Sequence, residues 1–551
     1  MGPSYTLISP KAEIERSVNL VRQRIETDQG AGRFVMMKSP GQTAIFQPTG
    51  GNGQYRGNGL ELNNQVTLAI DNKVLVLDAK NHVKSTYIAT INNDLAPVRF
   101  ASSGTSVMLV SYNTLYRGDG TTLTPITTLP FIPIDIVYIE SYYVAISNGT
   151  QFGWSTDDGV TWNAANIEIA QANANNFVGA IVHQDILFLY GNRVTLPYAV
   201  GSNAFAPFVA QSSGVIPYGL ETIGTLQSIG NFRYWLGRAK EGQYVVYQGQ
   251  GYQTQRISNF ALENQIRTYA KRFGVSDAFA MVYRLNGQEF YRITFPQANA
   301  TWELNSTLTQ VTGTPDWSEI GSRPLGQAAF SRHRANMMIS AFGTILTGDY
   351  QNGWLHELSP DEYTDFGYPL PFLRRSPHLI ANGLKIGYDQ LRLHLETGVG
   401  LDPPLWLNSY AMNRATFVST LATQVGLGNV TAAQSTVLQN IYDLVPYTPL
   451  NPYPSPDTMN TLGFVPWGGY ATLTGGTVLG GPPSIGLQYS NDGGRTFGPA
   501  LYRSLGMEGD NPQVHWDRLG TSRNRVFQLS GDCPSQLAIT QAYLDSEVLQ
   551  S

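Results

Sequence analysis

At 551 residues, with 42% hydrophobic and only 14% charged side chains, the chain has ample apolar material for a large core and a surface poor in charge. Its formal net charge of −5 argues against a protein held to nucleic acid by clustered Lys and Arg, and a single cysteine, Cys533, excludes an internal disulfide framework. No apolar run approaches the ~20 residues that cross a bilayer, and Met1-Gly2-Pro3-Ser4 lacks a basic-then-apolar signal pattern. The expectation is a soluble chain, alone or in a larger assembly, with a cytosolic folding history and a buried, inert Cys533.

The N-terminal 1–45 segment reads as a short strand, Arg33-Phe34-Val35-Met36-Met37-Lys38, ending in a Pro40-Gly41 turn. From about residue 60 short β-branched and aromatic runs recur between Asn, Gly and Asp: Val66–Ile70, Val74–Leu77, Ser106–Val110, Ile136–Ile139, Tyr142–Ile146, Ile186–Tyr190, Tyr244–Tyr247 and Phe290–Phe295. Groups of them repeat near the ~40–45 residues of a four-stranded propeller blade. A mainly β fold is expected: a β-propeller of six or seven blades over 46–365, with a pair of β-sandwiches as the structural alternative.

Within this texture stands Ser155-Thr156-Asp157-Asp158-Gly159-Val160-Thr161-Trp162, repeated near the C-terminus as Ser490-Asn491-Asp492-Gly493-Gly494-Arg495-Thr496-Phe497. Both read S-x-D-x-G-x-T-aromatic, the Asp-box pattern. Ser155, Asp157, Ser490 and Asp492 can accept backbone N–H groups inside a tight turn, and Gly159 and Gly494 tolerate positive φ. Thr161 and Thr496 complete the pattern, and Trp162 and Phe497 are expected on the second strand, packed under the turn. The boxes are therefore hairpin clamps and not catalytic centres.

Asn259 to Phe273 breaks the strand pattern, with Leu262, Ile266 and Tyr269-Ala270 at helical spacing. Pro369-Leu370-Pro371 and Arg374-Arg375-Ser376-Pro377 read as an exit linker. Asp389–Glu396 alternates polar residues with Leu391, Leu393 and Leu395, a strand with one wet face. The stretch 398–484 differs from all else: Val418, Leu421, Ala422 and Val425 mark one helix, Thr431–Gln434 a capping box for a second, and Pro449–Pro456 a stiff arm. It reads as a helical and Pro/Gly-rich insertion in a β-rich platform domain made of 366–397 and 485–551, joined by 1–45. The strands Leu391–Leu395 and Ile485–Tyr489 on its two sides are expected to be neighbours.

No metal, phosphate or dinucleotide motif is present. Asp157-Asp158 and Asp361-Glu362 are adjacent acids whose side chains point apart, poor acid/base pairs. His333, His356, His378, His394 and His515 are scattered without metal spacing. Arg332-His333-Arg334 and Arg374-Arg375 read as solvated faces, and Trp162, Trp235, Trp302, Trp317 and Trp516 as blade cores. No catalysis, cofactor or metal is expected.

Several stretches in one order carry a resemblance: Ile181–Asn192, Tyr198–Gly201, Pro207-Phe208, Trp235–Gly237, Val246-Tyr247, Arg256–Glu263, Ser490–Phe497, Val514–Gly520 and Ser522–Phe527, with the opener Ser17–Leu20. Together they are similar to the packaged-DNA stabilisation proteins, or tail nozzle (hub) proteins, of short-tailed bacteriophages. The resemblance spans most of the chain except 398–484.

It implies a virion tail component, assembled in the host cytoplasm, that forms a homohexameric ring below the portal and its adaptor ring. Such a ring continues the double-stranded DNA channel without sequence-specific binding, retains the genome until ejection and docks tail fibres or spikes, with contact to the host envelope. It also implies propellers on the outside and the remaining β-domain lining the tube. We place 398–484 at the distal tip or constriction. The alternative is a glycan-binding or sialidase-like propeller acting on host surface polysaccharide, or one that grips a receptor without cleaving it.

Overall fold

The computed structural model describes residues 3–6, 13–24, 34–48, 53–170, 176–239, 242–323, 329–365, 368–397, 484–505, 513–531 and 536–549, with scattered positions inside 418–478. They form two compact units. One comprises Met1–Ala44, Asp316–Ser331 and Leu358–Ser551; the other comprises Ile45–Pro315 and Arg332–Glu357.

The second unit is a β-propeller. Its four-stranded antiparallel sheets span 60–86, 99–126, 133–169, 177–210 and 227–256. The hairpin sets 279–305 and 335–349 follow, giving seven sheets among the described residues. The turns explain the regularity. Asn63-Asn64 and Gln184-Asp185 both take left-handed φ (51° and 59°, 51° and 57°) in two-residue hairpins, the twist that matches paired strands. The apolar runs read from the sequence fall inside these strands, except that Ser106 precedes Val107–Ser111.

Closure comes from the first strand of each sheet. Leu60–Leu62 packs on Arg99–Ser102, which packs on Pro133–Ile139 and then Phe177–His183. The Ile223–Thr225 turn leads on to Phe279–Leu285 and Ala335–Ala341, and the latter returns to Leu60–Leu62. Apolar clusters fill the gaps between sheets, such as Met108, Tyr143 and Trp162, or Phe152, Leu189 and Phe208.

The expected helix is α1, Phe260–Arg272. Asn259 Oδ1 caps it by accepting from Leu262 N at 2.8 Å, and Ala261, Leu262 and Ile266 are buried.

The first unit is a sandwich of two sheets, antiparallel except where Ile14–Val18 pairs in parallel with Trp317–Glu319. One runs in the order Ile14–Val18, Phe372–Arg375, Val526–Gly531, Ser484–Ser490, Leu501–Ser504. The other runs Leu20–Arg24, Phe34–Lys38, Leu537–Leu549, Lys385–Thr397, Gln513–Ser522. Leu391, Leu393 and Leu395 from the second meet Ile485, Leu487 and Phe527 from the first in one core with Trp516. Arg392 and Glu396 stay exposed, as the alternation requires.

Three readings are corrected here. Leu391–Leu395 and Ile485–Tyr489 are not neighbouring strands: they lie in different sheets and meet side chain to side chain across the core, because both present apolar faces inward. Phe372–Arg375 is not a linker but an interior strand, paired on both sides. Its third position, Arg374, is buried because Glu15 neutralises it. All five tryptophans singled out are buried, but Trp317 and Trp516 belong to the sandwich unit and not to blades.

In the insertion, Val418, Ala422 and Val425 are helical, as are Ala432, Ser435 and Gln439. Ala471–Leu473 pairs with Gly476–Val478. The rest of the expected hairpin, the Pro-rich arm and Cys533 lie outside the described residues.

One residue joins the two sheets of the sandwich. Asn19, between Ile14–Val18 and Leu20–Arg24, takes φ 54° and is fully buried. Its Nδ2 donates to the carbonyls of Gly321 (2.7 Å) and Pro371 (2.6 Å), and its Oδ1 accepts from Gly321 N (2.9 Å). Its backbone N–H donates to Glu319 O, and its carbonyl accepts from Ser39 N. Asn tolerates left-handed φ better than other non-glycine residues, and every polar group it buries is satisfied.

The alternation on Lys385–Thr397 generates a direct check. Leu393→Ala, which removes a side chain from the sandwich core, costs about 2–5 kcal/mol in denaturant unfolding. Arg392→Ala, one residue away on the wet face, stays within about 0.5 kcal/mol. Equal losses contradict the assignment of faces.

Candidate functional site

The Asp-box turns are built as local hydrogen-bond cages. In the propeller, Ser155 Oγ donates to Asp157 Oδ1 (2.7 Å) and accepts from Gly159 N (3.2 Å), while Thr161 N donates to Asp157 Oδ1 (2.8 Å). Gly159 has φ 78°, and a Cβ there meets Met108. Trp162 is buried and donates Nε1 to Gly159 O at 3.1 Å.

In the sandwich, Ser490 Oγ donates to Asp492 Oδ1 (2.6 Å) and accepts from Gly494 N (2.8 Å). Thr496 N and Oγ1 both donate to Asp492 (3.0 and 2.6 Å). Hydrogen bonds from Ser490 and Thr496 hold the Asp492 carboxyl well below the usual carboxylate range.

In each case the aromatic residue precedes the following strand, which begins at Ile167 or Leu501. The expectation that Trp162 and Phe497 sit on the second strand is corrected on that point. Trp162 still packs under its turn because its ring fills the cluster around Met108. Phe497 lies under the Arg375 guanidinium at 4.7 Å.

The residue between Asp157 and Gly159 does separate work. Asp158 reaches from the third sheet to the second. It accepts from Ser106 Oγ (2.9 Å), Thr105 Oγ1 (3.2 Å) and Arg117 Nη2 (3.1 Å), and also from Ser103 Oγ. Asp157-Asp158 is thus a turn brace followed by an inter-sheet tie. Asp361-Glu362 is a brace too, with Glu362 accepting from Thr43 Oγ1 (2.9 Å) and from the Thr364 backbone (3.0 Å).

The basic clusters turn inward. Arg332 and His333 are buried, and Arg334 pairs with buried Asp349, so the reading of a solvated face is corrected. Nearby, Arg292 is fully buried. Its Nε donates to Glu303 Oε2 (2.6 Å), its Nη2 to Tyr283 OH (3.0 Å), and its Nη1 faces His333 (3.1 Å). Tyr283 OH in turn donates to Glu303 Oε2 (2.8 Å). Burial, then Arg292, pushes His333 well below its ordinary value; burial, then Arg334, pushes His356 down to about 3.

Arg56, equally buried, donates to the carbonyls of Ala96 (2.8 Å), Asp71 (2.8 Å) and Asn92 and to the Asp94 carboxylate. In the sandwich, Arg16 pairs with Glu319 (2.6 Å) and Arg22 with Asp316 (2.6 Å). These ions serve cohesion: desolvated charges are tolerable only when fully paired.

An amide pair links two sheets that are not neighbours in the propeller. Asn58, which precedes the first sheet, donates Nδ2 to Gln227 Oε1 of the fifth sheet at 3.0 Å. Gln227 Nε2 donates onward to Ala280 O at 2.9 Å. Sequence reasoning passed over Asn58, Gln227 and Arg292. Only Arg292 left a signal, a charge inside the otherwise apolar strand Phe290-Tyr291-Arg292-Ile293. Among the described residues no group of three His, Cys, Asp or Glu side chains could hold a metal ion.

The buried histidines set a pH dependence. Their folded pKa values lie below the ordinary 6.5, so above pH 6.5 neither state is penalised. As pH falls below 6.5 the unfolded chain binds protons that the folded chain refuses, and stability is lost toward pH 3. The propeller's melting temperature is therefore lower at pH 5.0 than at pH 7.5, and His356→Gln reduces that difference. A His356→Gln protein with the same difference contradicts the argument.

A family model described as "Bacteriophage P22 Gp10, beta-propeller" matches residues 16–363. No curated protein matches the chain. Among solved structures the chain is similar to the N-terminal domain of Nup159, at 9% identity over 62% of this chain and 98% of that one, TM-score 0.38. The WD40 propeller domain of Doa1 gives 8%, 58%, 98% and 0.36, and BamB from Moraxella catarrhalis 10%, 62%, 96% and 0.33. Scores this low add nothing to the fold just described.

Proposed function

The chain belongs to the packaged-DNA stabilisation, or tail nozzle, family of short-tailed bacteriophages, and from that premise we propose that it is a subunit of the nozzle ring that continues the DNA channel below the portal. A structural role in the phage tail is what the family carries. The proposal adds the particulars. Copies of the chain, six of them, close into a ring beneath the adaptor. The sandwich supplies the wall of the duct, and the ring retains the packaged genome and docks tail fibres or spikes. On its sequence alone, 398–484 is assigned to the tip or constriction of that ring.

The observation that carries this reading is the family match over residues 16–363. One physical point supports it. A duct for sliding DNA has to avoid tight phosphate contacts, and Arg56, Arg233, Arg292, Arg332, Arg374 and Arg525 are buried where they cannot reach a phosphate. The same burial weighs against a sialidase-like site, which needs exposed arginines converging on a substrate carboxylate.

Electron microscopy of the purified chain and of intact particles tests the reading. The expected result is a ring of six copies with an opening wide enough for duplex DNA, in the tail. Particles lacking the chain are expected to package DNA and then lose it. A chain that stays monomeric under all conditions and is missing from particles contradicts it.

A further inference from the structure

Four arginines among the described residues are fully buried: Arg56, Arg233, Arg292 and Arg525. Arg56 and Arg292 hold the carboxylates of Asp94 and Glu303. Arg525 directs its nitrogens to oxygens of Asn491, Leu519 and Thr521. Arg233 is different. Its Nη1 donates to Tyr190 OH at 3.1 Å and its Nη2 to the Gly251 carbonyl. Among the described residues no carboxylate pairs with it, and its Nε–H has no acceptor. The Phe188 ring, centred 3.4 Å from Cζ, offsets part of the charge. Burial pushes the guanidinium below its ordinary value, with Tyr190 opposing.

Other polar atoms stand beside that N–H. Ser228, Arg233, Gly249 and Thr254 lie opposite one another in a row across the fifth sheet, and so share one face. Gly249 has no side chain, and a Cβ there would lie 3.1 Å from Arg233 Nη2. The guanidinium therefore crosses a bare strand toward Thr254, whose Oγ1 is buried and has no partner among the described residues. The row faces the fourth sheet, whose Phe188 and Tyr190 cover it. Trp235 closes one side, edge-on to Tyr190 at 5.2 Å. On the fourth sheet His183 is buried with its Nε2 unpartnered, and after burial itself Arg233 lowers it further. Unpartnered polar atoms from two neighbouring sheets thus gather around a charge that has no counterpart.

We propose that this gap between the fourth and fifth sheets is a binding site for a small monovalent anion, a halide such as chloride or bromide, held by Arg233 Nε and Thr254 Oγ1. A water molecule satisfies the N–H but leaves the charge unanswered; an anion does both. The aromatic walls favour a weakly hydrated ion over fluoride, because the ion gives up its water to enter. A divalent phosphate or sulfate brings a second charge with no second guanidinium to meet it. The ion ties the two sheets together. Asp158 does the same between the third sheet and the second with a carboxylate of the chain itself; here the negative charge comes from solvent.

The test uses the full chain in gluconate buffer, titrated with sodium bromide at constant ionic strength. The propeller's melting temperature is expected to rise with bromide as mass action requires and to be unmoved by fluoride. Crystals grown in bromide are expected to show an anomalous peak within hydrogen-bond reach of Arg233 Nε and Thr254 Oγ1. Thr254→Val keeps the shape of the side chain and removes the hydroxyl. It is expected to weaken the bromide dependence roughly tenfold, with the fold unchanged by circular dichroism. Arg233→Met is expected to abolish the dependence; if that variant does not fold, Thr254→Val and the anomalous peak decide. Bromide found at exposed side chains alone, an adventitious ion only, overturns the proposal. So does a Thr254→Val protein with the wild-type dependence, or a melting temperature that rises equally with bromide and fluoride.

Discussion

The sandwich unit depends on one buried side chain that belongs to neither sheet. Asn19 stands where the chain leaves Ile14–Val18 for Leu20–Arg24, and so passes from one sheet to the other. Its amide reaches Gly321 and Pro371, residues some 300 and 350 positions away in sequence. That unit is composed of three separate stretches of chain. Fixing a backbone in space costs about 1–2 kcal/mol per residue, so bringing such distant pieces together needs contacts that each satisfy several groups at once. Asn19 satisfies five polar groups with one residue. Around it, Arg16–Glu319, Arg22–Asp316 and Arg374–Glu15 tie the same three stretches by charge.

Both units hold paired charges in their interiors. The propeller holds Arg56 among carbonyls and Arg292 between Glu303 and Tyr283, and lets Asp158 bind the neighbouring sheet. Buried ions are a weak source of net stability, but removing one partner strands the other at a cost of about 3–5 kcal/mol. They therefore specify which strand lies beside which, in sheets whose apolar alternation alone permits several registers.

Much of the fold could be read from the sequence because its signals are local. Apolar runs such as Val66–Ile70, the helical spacing of Leu262 and Ile266 and the leucine alternation at 391–395 are each settled within a few residues. What could not be read depends on distant partners. Arg374 looked like part of a linker because Glu15, which permits its burial, lies 359 positions away. Arg332-His333 looked like surface for the same reason. The pairing of Lys385–Thr397 with Leu537–Leu549 instead of with Ser484–Ser490 is decided by which strands share a core, not by proximity across an insertion. At the turns the Ser, Asp and Gly of the boxes were legible, and the inter-sheet role of Asp158 was not, because its partners Ser103, Ser106 and Arg117 carry no pattern.

The central claim is that three separated stretches fold as one cooperative unit pinned at Asn19. Hydrogen–deuterium exchange of the wild-type chain and of Asn19→Ala measures this most directly. The account predicts that amides of 14–24, 317–322 and 372–375 are protected to a similar degree, and that all three lose protection together in Asn19→Ala while the propeller sheets at 133–210 do not change. Loss confined to the residues beside Asn19, with 317–322 and 372–375 still protected, contradicts it.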